Sequence, residues 1–130
     1  MLKKMLCITG VILLMAFSGT QAAEYDAAFV AKAKALAERG NAIAQCALAE
    51  CYTIAGLCEG IPQDYVKARQ WYEKSAKQGD ASAQLKLGVM YHEGKGVRQD
   101  YAKARKWLEK AAAQGHAKAQ LVLGLMFNVC

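Results

Sequence analysis

The chain repeats itself, and the period of that repeat constrains its fold more than any other feature. Asp64-Tyr65-Val66-Lys67-Ala68-Arg69-Gln70-Trp71 returns 36 residues later as Asp100-Tyr101-Ala102-Lys103-Ala104-Arg105-Lys106-Trp107. Gln78-Gly79 returns as Gln114-Gly115, and Gln84 as Gln120, at the same spacing. A fixed period of this size belongs to solenoids, in which a two-helix unit cannot bury its apolar face alone and stacks on its neighbour. Solenoids generally present binding surfaces rather than enclosed reaction sites. The period therefore points to recognition, without saying what is recognised.

The punctuation of the chain is helical throughout. Asp26, Asn41, Asp64, Asp80 and Asp100 each precede an apolar run, where a side-chain oxygen can satisfy the free N–H groups of a first turn. Gly40, Gly79, Gly94 and Gly115 follow those runs, where a helix ends most easily on a left-handed residue. Six helices and no strands are predicted: Asp26 to about Arg39, Asn41 to about Ala55, Asp64 to Gly79, Asp80 to near Gly94, Asp100 to Gly115, and one from near His116. Pro62 falls in the first inter-helix loop. Tyr65, Ala68, Trp71 and Tyr72 lie at i, i+3, i+6 and i+7, the spacing of a buried stripe. Ala42, Ala44, Ala81, Ala83, Ala117 and Ala119 are small enough for helices to approach closely. Gly94 and Gly96 lack the rest of a nucleotide fingerprint, so they read as positive-φ turn residues.

The N-terminus has the pattern of a secretory signal. Lys3 and Lys4 form a positive start, Ile8 to Phe17 an apolar stretch, and Ser18-Gly19-Thr20-Gln21-Ala22 a small-residue cleavage site after Ala22. The apolar stretch is short against the roughly 20 residues that a membrane helix needs; an uncleaved anchor is the rival reading. Cys7 lies well before the cleavage site, which argues against a lipid-modified mature cysteine. Removing residues 1–22 leaves 108, one small domain, and loss of Lys3 and Lys4 takes the formal charge from +6 to +4. The remaining charges are interleaved and form no nucleic-acid stripe. Membrane contact is expected only through the signal segment during export.

The second unit carries a specific pattern. Ala81, Ala83, Gln84, Leu87, Gly88 and Tyr91 spell Ala-x-Ala-Gln-x-x-Leu-Gly-x-x-Tyr, followed by Gly94, Gly96 and Val97, then Asp100 to Trp107, then Lys110 to Gly115. In this pattern the chain resembles the Sel1-like repeat (SLR) family, relatives of tetratricopeptide repeats with a longer loop between helices A and B. The resemblance covers about residues 26–130 and implies an all-α, right-handed α/α solenoid. On that scheme residues 23–40 are an N-terminal capping helix, 41–79 and 80–115 two repeats, and 116–130 a third A helix alone. The first repeat departs from the pattern. Tyr52 to Asp64 spans 12 positions where Tyr91 to Asp100 spans 9, so three residues are inserted around Gly56-Leu57-Cys58-Glu59-Gly60. Ala49 also stands where the second repeat has Gly88.

Cysteine use follows from the exported compartment, where disulfides persist. The mature chain keeps Cys46, Cys51, Cys58 and Cys130. Cys46 and Cys51 are five apart on one helix and point about 140° apart, so they should not bond each other. Cys51 near a helix end and Cys58 in the insertion are within reach, and a Cys51–Cys58 bridge is expected. Cys46 aligns with Leu85 and Leu121, which favours a buried thiol. The cysteines have no zinc spacing, and neither a metal nor a cofactor is expected.

Catalytic chemistry finds little footing. His92 aligns with Thr53 and Asn128, and His116 with Asp80; both read as exposed polar residues at helix ends. The cysteine-rich branch of the SLR family includes members linked to β-lactam binding or hydrolysis, the alternative to a binding protein. The mature sequence has no Ser-x-x-Lys, Ser-Asp-Asn or Lys-Thr-Gly to support it.

Comparison of the three A helices isolates a stripe. Ala42, Ala44, Gln45 and Leu48 are matched in each unit, but three positions differ: Ile43, Ala47 and Glu50, then Ser82, Lys86 and Val89, then Lys118, Val122 and Leu125. Each triplet falls on one helical face. The family's A helices line a concave surface, so this stripe is the candidate groove for a protein or peptide, with solvated surface as the plain alternative. An envelope or extracellular adaptor, periplasmic or secreted, is the expected role. Leu123 and Phe127 are expected to lack a following helix to pack on. Self-association through that end, with Cys130 able to bond between chains, is one expectation, and a truncated gene product the other.

Overall fold

The computed structural model describes residues 23–127; the signal segment expected at 1–22 and Cys130 lie outside them. The described residues form six helices and no strand: α1 (Ala27–Glu38), α2 (Ala42–Thr53), α3 (Tyr65–Lys77), α4 (Ala81–Glu93), α5 (Tyr101–Ala113) and α6 (Ala117–Phe127). None of them is long and apolar enough to cross a membrane. Asp26, Asn41, Asp64, Asp80 and Asp100 all cap helices by accepting backbone N–H groups. Helix α2 stops at Thr53, earlier than its sequence suggests, because Ile54 is extended at φ −111° and ψ 113°. That break launches the inserted loop.

Each helix packs on the next, and the heaviest contacts lie within the pairs α2/α3 and α4/α5. The core follows the stack as three linked clusters. Val30, Leu48, Cys51, Cys58 and Ile61 hold the first turn of the solenoid. Ala49, Ala68, Tyr72, Ala83, Leu87 and Tyr91 hold its middle. Leu85, Leu108, Ala111, Ala119 and Leu123 seat α6. A right-handed α/α solenoid is thus built by neighbour-to-neighbour packing.

Buried glutamines explain why Gln recurs with the period. Gln45 Nε2 donates to the Ala37 carbonyl at 3.1 Å, and Gln84 Nε2 to the Ala76 carbonyl at 3.1 Å. Gln78 Nε2 reaches Gly40 O and Gln45 Oε1, both at 2.8 Å; Gln114 Nε2 reaches Gly79 O at 2.8 Å and Gln84 Oε1 at 2.9 Å. These amides bind the turn before each A helix to the end of the following B helix, so both Gln45 and Gln84 have hydrogen-bond partners although they are buried.

The insertion is not a loose loop. Cys51 and Cys58 are joined by a disulfide, with Cα atoms 5.3 Å apart. Tyr25 N donates to Leu57 O at 3.0 Å, Glu59 N to Tyr25 O at 2.8 Å, and Ala27 N to Glu59 Oε2 at 3.2 Å. The loop therefore clamps the start of α1 as well as the end of α2. The corresponding loop of the second repeat is held differently. Gly96 has φ +67°, and a Cβ there would collide with the Tyr65 carbonyl at the start of α3.

Several expectations need correction. The buried stripe of α3 is Ala68, Tyr72, Ser75 and Ala76; Tyr65 and Trp71 sit half-buried at its edge. Lys74 Nζ lies 4.5 Å from the Trp71 ring, and Lys110 Nζ 4.7 Å from the equivalent Trp107 ring. Leu123 is buried against the preceding helix pair, and Phe127 is half-buried with His92 at 5.9 Å and Arg105 at 6.0 Å. The apolar residues that α6 exposes are Leu121 and Leu125 instead. His92 and His116 are half-buried rather than exposed, His92 between Tyr101 and Phe127.

Candidate functional site

A cavity of about 460 Å3 is lined chiefly by α4 and α6, with Thr53 at the end of α2. Its apolar lining comes from Leu85, Val89, Met90, Val122 and Met126, and Ile54, Tyr65 and Tyr72 close one end. Lys86, Lys95, Lys118 and Glu93 supply its charges. Helix geometry explains this convergence: Lys86, Val89, Met90 and Glu93 lie at i, i+3, i+4 and i+7 on α4, and Lys118, Val122 and Met126 at i, i+4 and i+8 on α6. A second cavity, about 510 Å3, lies between α1 and α2 and is lined by Phe29, Lys32, Ala33, Leu36, Asn41, Ile43, Ala44 and Ala47.

The variable stripe divides between these two places. Lys86, Val89, Lys118 and Val122 line the first cavity, whereas Ile43 and Ala47 line the second. Glu50, Ser82 and Leu125 line neither. Glu50 is half-buried, while Ser82 and Leu125 stand in solvent. Sequence comparison missed Met90 and Met126 because they match each other across repeats, which reads as packing. They do both jobs: Met90 is buried in the central core and still lines the cavity. It also missed Lys95, Phe29 and Leu36, which lie outside the A helices.

Lys95 Nζ lies 3.7 Å from Glu93 Oε2 and 5.5 Å from the Tyr65 ring. Lys86 and Lys118 form no ion pair among the described residues. Beneath the groove, burial pushes the Cys46 thiol up to about 12, with the Asp80 and Glu50 carboxylates adding to the shift and Lys86 opposing it. Burial likewise raises the Tyr72 phenol, against a lowering hydrogen bond from Thr53. Neither group ionises near neutral pH, so neither is poised as a nucleophile or base.

The other reactive side chains near the stack are occupied structurally. Ser75 is fully buried and its Oγ donates to Ala42 O at 2.7 Å. His116 Nδ1 accepts from Ala119 N at 3.2 Å, as Asp80 does from Ala83 N. No group of three His, Cys, Asp or Glu side chains suited to a metal occurs among the described residues.

Comparison with known proteins agrees with this architecture. The Sel1 repeat model matches residues 42–80 and 81–116. A Sel1 repeat protein from Oxalobacter formigenes is 39% identical over 72% of this chain and 26% of its own, with a TM-score of 0.67. A protective antigen present in uropathogenic Escherichia coli strains, displaying an SLR fold, is 44% identical over 71% of this chain and 19% of its own, with a TM-score of 0.66. Cysteine rich protein B of Helicobacter pylori is 26% identical over 73% of this chain and 69% of its own, with a TM-score of 0.67. The chain thus spans about a quarter and a fifth of the first two. No curated protein matches it. Two matched repeats cover more than half of the 130 residues and coincide with two helix pairs joined by the glutamine ladder; the chain belongs to the Sel1 repeat family.

Proposed function

We propose that this chain is an exported scaffold that holds another protein or peptide against the groove of α2, α4 and α6. The Sel1 fold suggests a protein–protein interaction scaffold. The observation that carries the reading here is that Lys86, Val89, Lys118 and Val122, which vary between repeats, converge on one cavity from two of them. Four of the nine variable positions line the groove, beside the matched Met90 and Met126. A pre-formed surface of this kind binds with little ordering cost.

Export to the periplasm or beyond is supported by the signal pattern of residues 1–22 and by the Cys51–Cys58 disulfide. Likeness to a protective antigen and to a cysteine-rich protein points the same way. In this reading 23–40 is the cap, 41–79 and 80–115 the repeats, and 116–130 the A part of a third. Exposed Leu121 and Leu125 make α6 the contact for self-association, if copies associate. The β-lactam alternative is not favoured, because Ser75 is buried and bonded and Ser82 lies outside the groove.

A photo-cross-linking residue placed at Val122 or Lys86, with Lys106 on α5 as the control, tests the assignment in intact envelopes. Discrete adducts from the two groove positions and none from Lys106 are expected. Equal labelling at all three, or none from the groove, refutes it. Recovery of a chain beginning at Ala23 after osmotic shock checks export.

A further inference from the structure

We infer that the groove takes an acidic amphipathic segment of its protein partner, with an apolar ridge on Val89, Val122 and Met126 and carboxylates reaching Lys86 and Lys118. The inference rests on the scaffold reading and adds the chemistry of what is held.

Two features of the groove carry it. The floor is apolar and partly made of methionine, whose flexible thioether adapts to different bulky side chains. A cavity of about 460 Å3 suits a few such side chains at i, i+4 and i+7 of a docked helix. The rim carries three lysines and one glutamate. Lys86 comes from α4, Lys118 from the first turn of α6, and Lys95 from the loop after α4; Glu93, beside Lys95, is the one acid in the lining, and Glu50 and Asp80 lie near Cys46 below it.

Ion pairs elsewhere on the chain engage only some of its basic residues. On α3, Arg69 and Lys77 both pair with Glu73; on α5, Arg105 pairs with Glu109. Lys67, Lys74, Lys103, Lys106 and Lys110 of the B helices also form no ion pair among the described residues; what sets Lys86 and Lys118 apart is the apolar cavity that both line. An apolar wall lowers the local dielectric beside those ammonium groups, so an incoming carboxylate gains more there than on open surface. A basic segment would meet like charge on both sides of the same floor.

The test titrates the purified chain with two labelled helical peptides. Both carry leucines at i, i+4 and i+7; one flanks them with glutamates, the other with lysines. Vesicles rich in phosphatidylglycerol serve as the competing anionic surface. Saturable binding of the glutamate peptide is expected, weakened about tenfold by the double variant Lys86→Glu/Lys118→Glu and falling as salt rises. Lys106→Glu, which changes net charge away from the groove, should leave it within about twofold. Equal binding of the lysine peptide, indifference to the double variant, or an equal loss with Lys106→Glu overturns the inference. So does vesicle binding that outcompetes the peptide. If groove adducts in envelopes survive Lys86→Glu/Lys118→Glu while the glutamate peptide fails to bind, the acidic partner falls and the scaffold stands. If the unmutated chain gives no groove adducts and the glutamate peptide fails to bind, both fall.

Discussion

A single methyl group at Gly88 should destabilise the stack, and the structure sets the size of the effect. A Cβ built there would lie 2.8 Å from Leu108 Cγ, 3.1 Å from Leu108 Cδ2 and 3.1 Å from the Ala104 carbonyl oxygen. Carbon atoms prefer about 3.5–4.0 Å, so every one of these contacts is repulsive or nearly so. Escape routes are few. Leu108 is completely buried, its Cγ is a branch point, and Ala104 O belongs to the backbone of α5. Overpacking of this kind costs roughly 1–3 kcal/mol. Alanine recovers about 1 kcal/mol over glycine through helix propensity. Gly88→Ala should therefore lose up to about 2 kcal/mol, and Gly88→Leu, whose further carbons meet the same wall, about 3 kcal/mol.

Thermal and urea unfolding followed by circular dichroism measure both, against Lys86→Leu, a half-buried groove position that should stay within about 0.5 kcal/mol. A double-mutant cycle isolates the cause. Leu108→Ala alone should cost about 2–5 kcal/mol by opening a cavity. Combined with Gly88→Ala, the new methyl enters that cavity, and the pair should be about 1–2 kcal/mol better than the sum. Additivity within about 0.5 kcal/mol would refute close approach of α4 and α5 at this point. Equal melting shifts for Gly88→Leu and Lys86→Leu would do the same.

Three further outcomes follow from particular contacts. Cys51→Ala/Cys58→Ala should lose about 2–3 kcal/mol, since closing so short a loop contributes about 2.5 kcal/mol by chain entropy, and amide exchange should rise first at Tyr25 and Glu59; non-reducing peptide mapping that found both thiols free would contradict the pairing. Gln84→Met should cost about 1–3 kcal/mol by stranding the partners of a buried amide, whereas Gln120→Met, at an exposed equivalent position, should stay within about 0.5 kcal/mol; equal losses would deny the ladder its role. Cys46 should resist thiol reagents at pH 8 until the chain unfolds. Its folded value, near 12, lies above the ordinary 9.0, so both states hold the proton below about pH 9. From there to about 12 the unfolded chain ionises first and stability falls by up to about 1.4 kcal/mol per pH unit from this group. Cys46→Val should flatten that alkaline decline, and an unchanged slope would count against the buried thiol.

The order of the helices was legible because the signals are local. Each capping Asp or Asn and each stopping Gly acts within one turn, and a 36-residue period multiplies the evidence. The glutamines show the limit of such reading. Their recurrence is plain in the sequence, yet their partners lie 30 to 38 residues away, so only the fold reveals the ladder. The same holds for the insertion. Its length and cysteine were readable, but its second tether, to Tyr25, depends on where α1 happens to pass. The stripe of variable residues was a helical-face argument, and it carried no information on curvature or on neighbours. Ile43 and Ala47 consequently sit against α1, while Lys86, Val89, Lys118 and Val122 share a cavity.

That division has a physical consequence for how such a scaffold works. No single repeat owns the groove: Lys86, Val89 and Glu93 come from α4, and Lys118, Val122 and Met126 from α6. Helix α6 is held by one cluster, Leu85, Leu108, Ala111, Ala119 and Leu123, and by the contact of Phe127 with His92 and Arg105. In a stack whose stability is a sum of neighbour interfaces, the seat of α6 on α5 sets how firmly its half of the groove is held. When α6 lifts, half of the groove leaves with it. A segment that touches both α4 and α6 binds only the closed arrangement, so it stabilises the seat of α6 by mass action. Under the proposed function, binding at the groove and packing of α6 on α5 are therefore one linked equilibrium. A substitution under α6, such as Leu123→Ala, would weaken recognition without touching a groove residue.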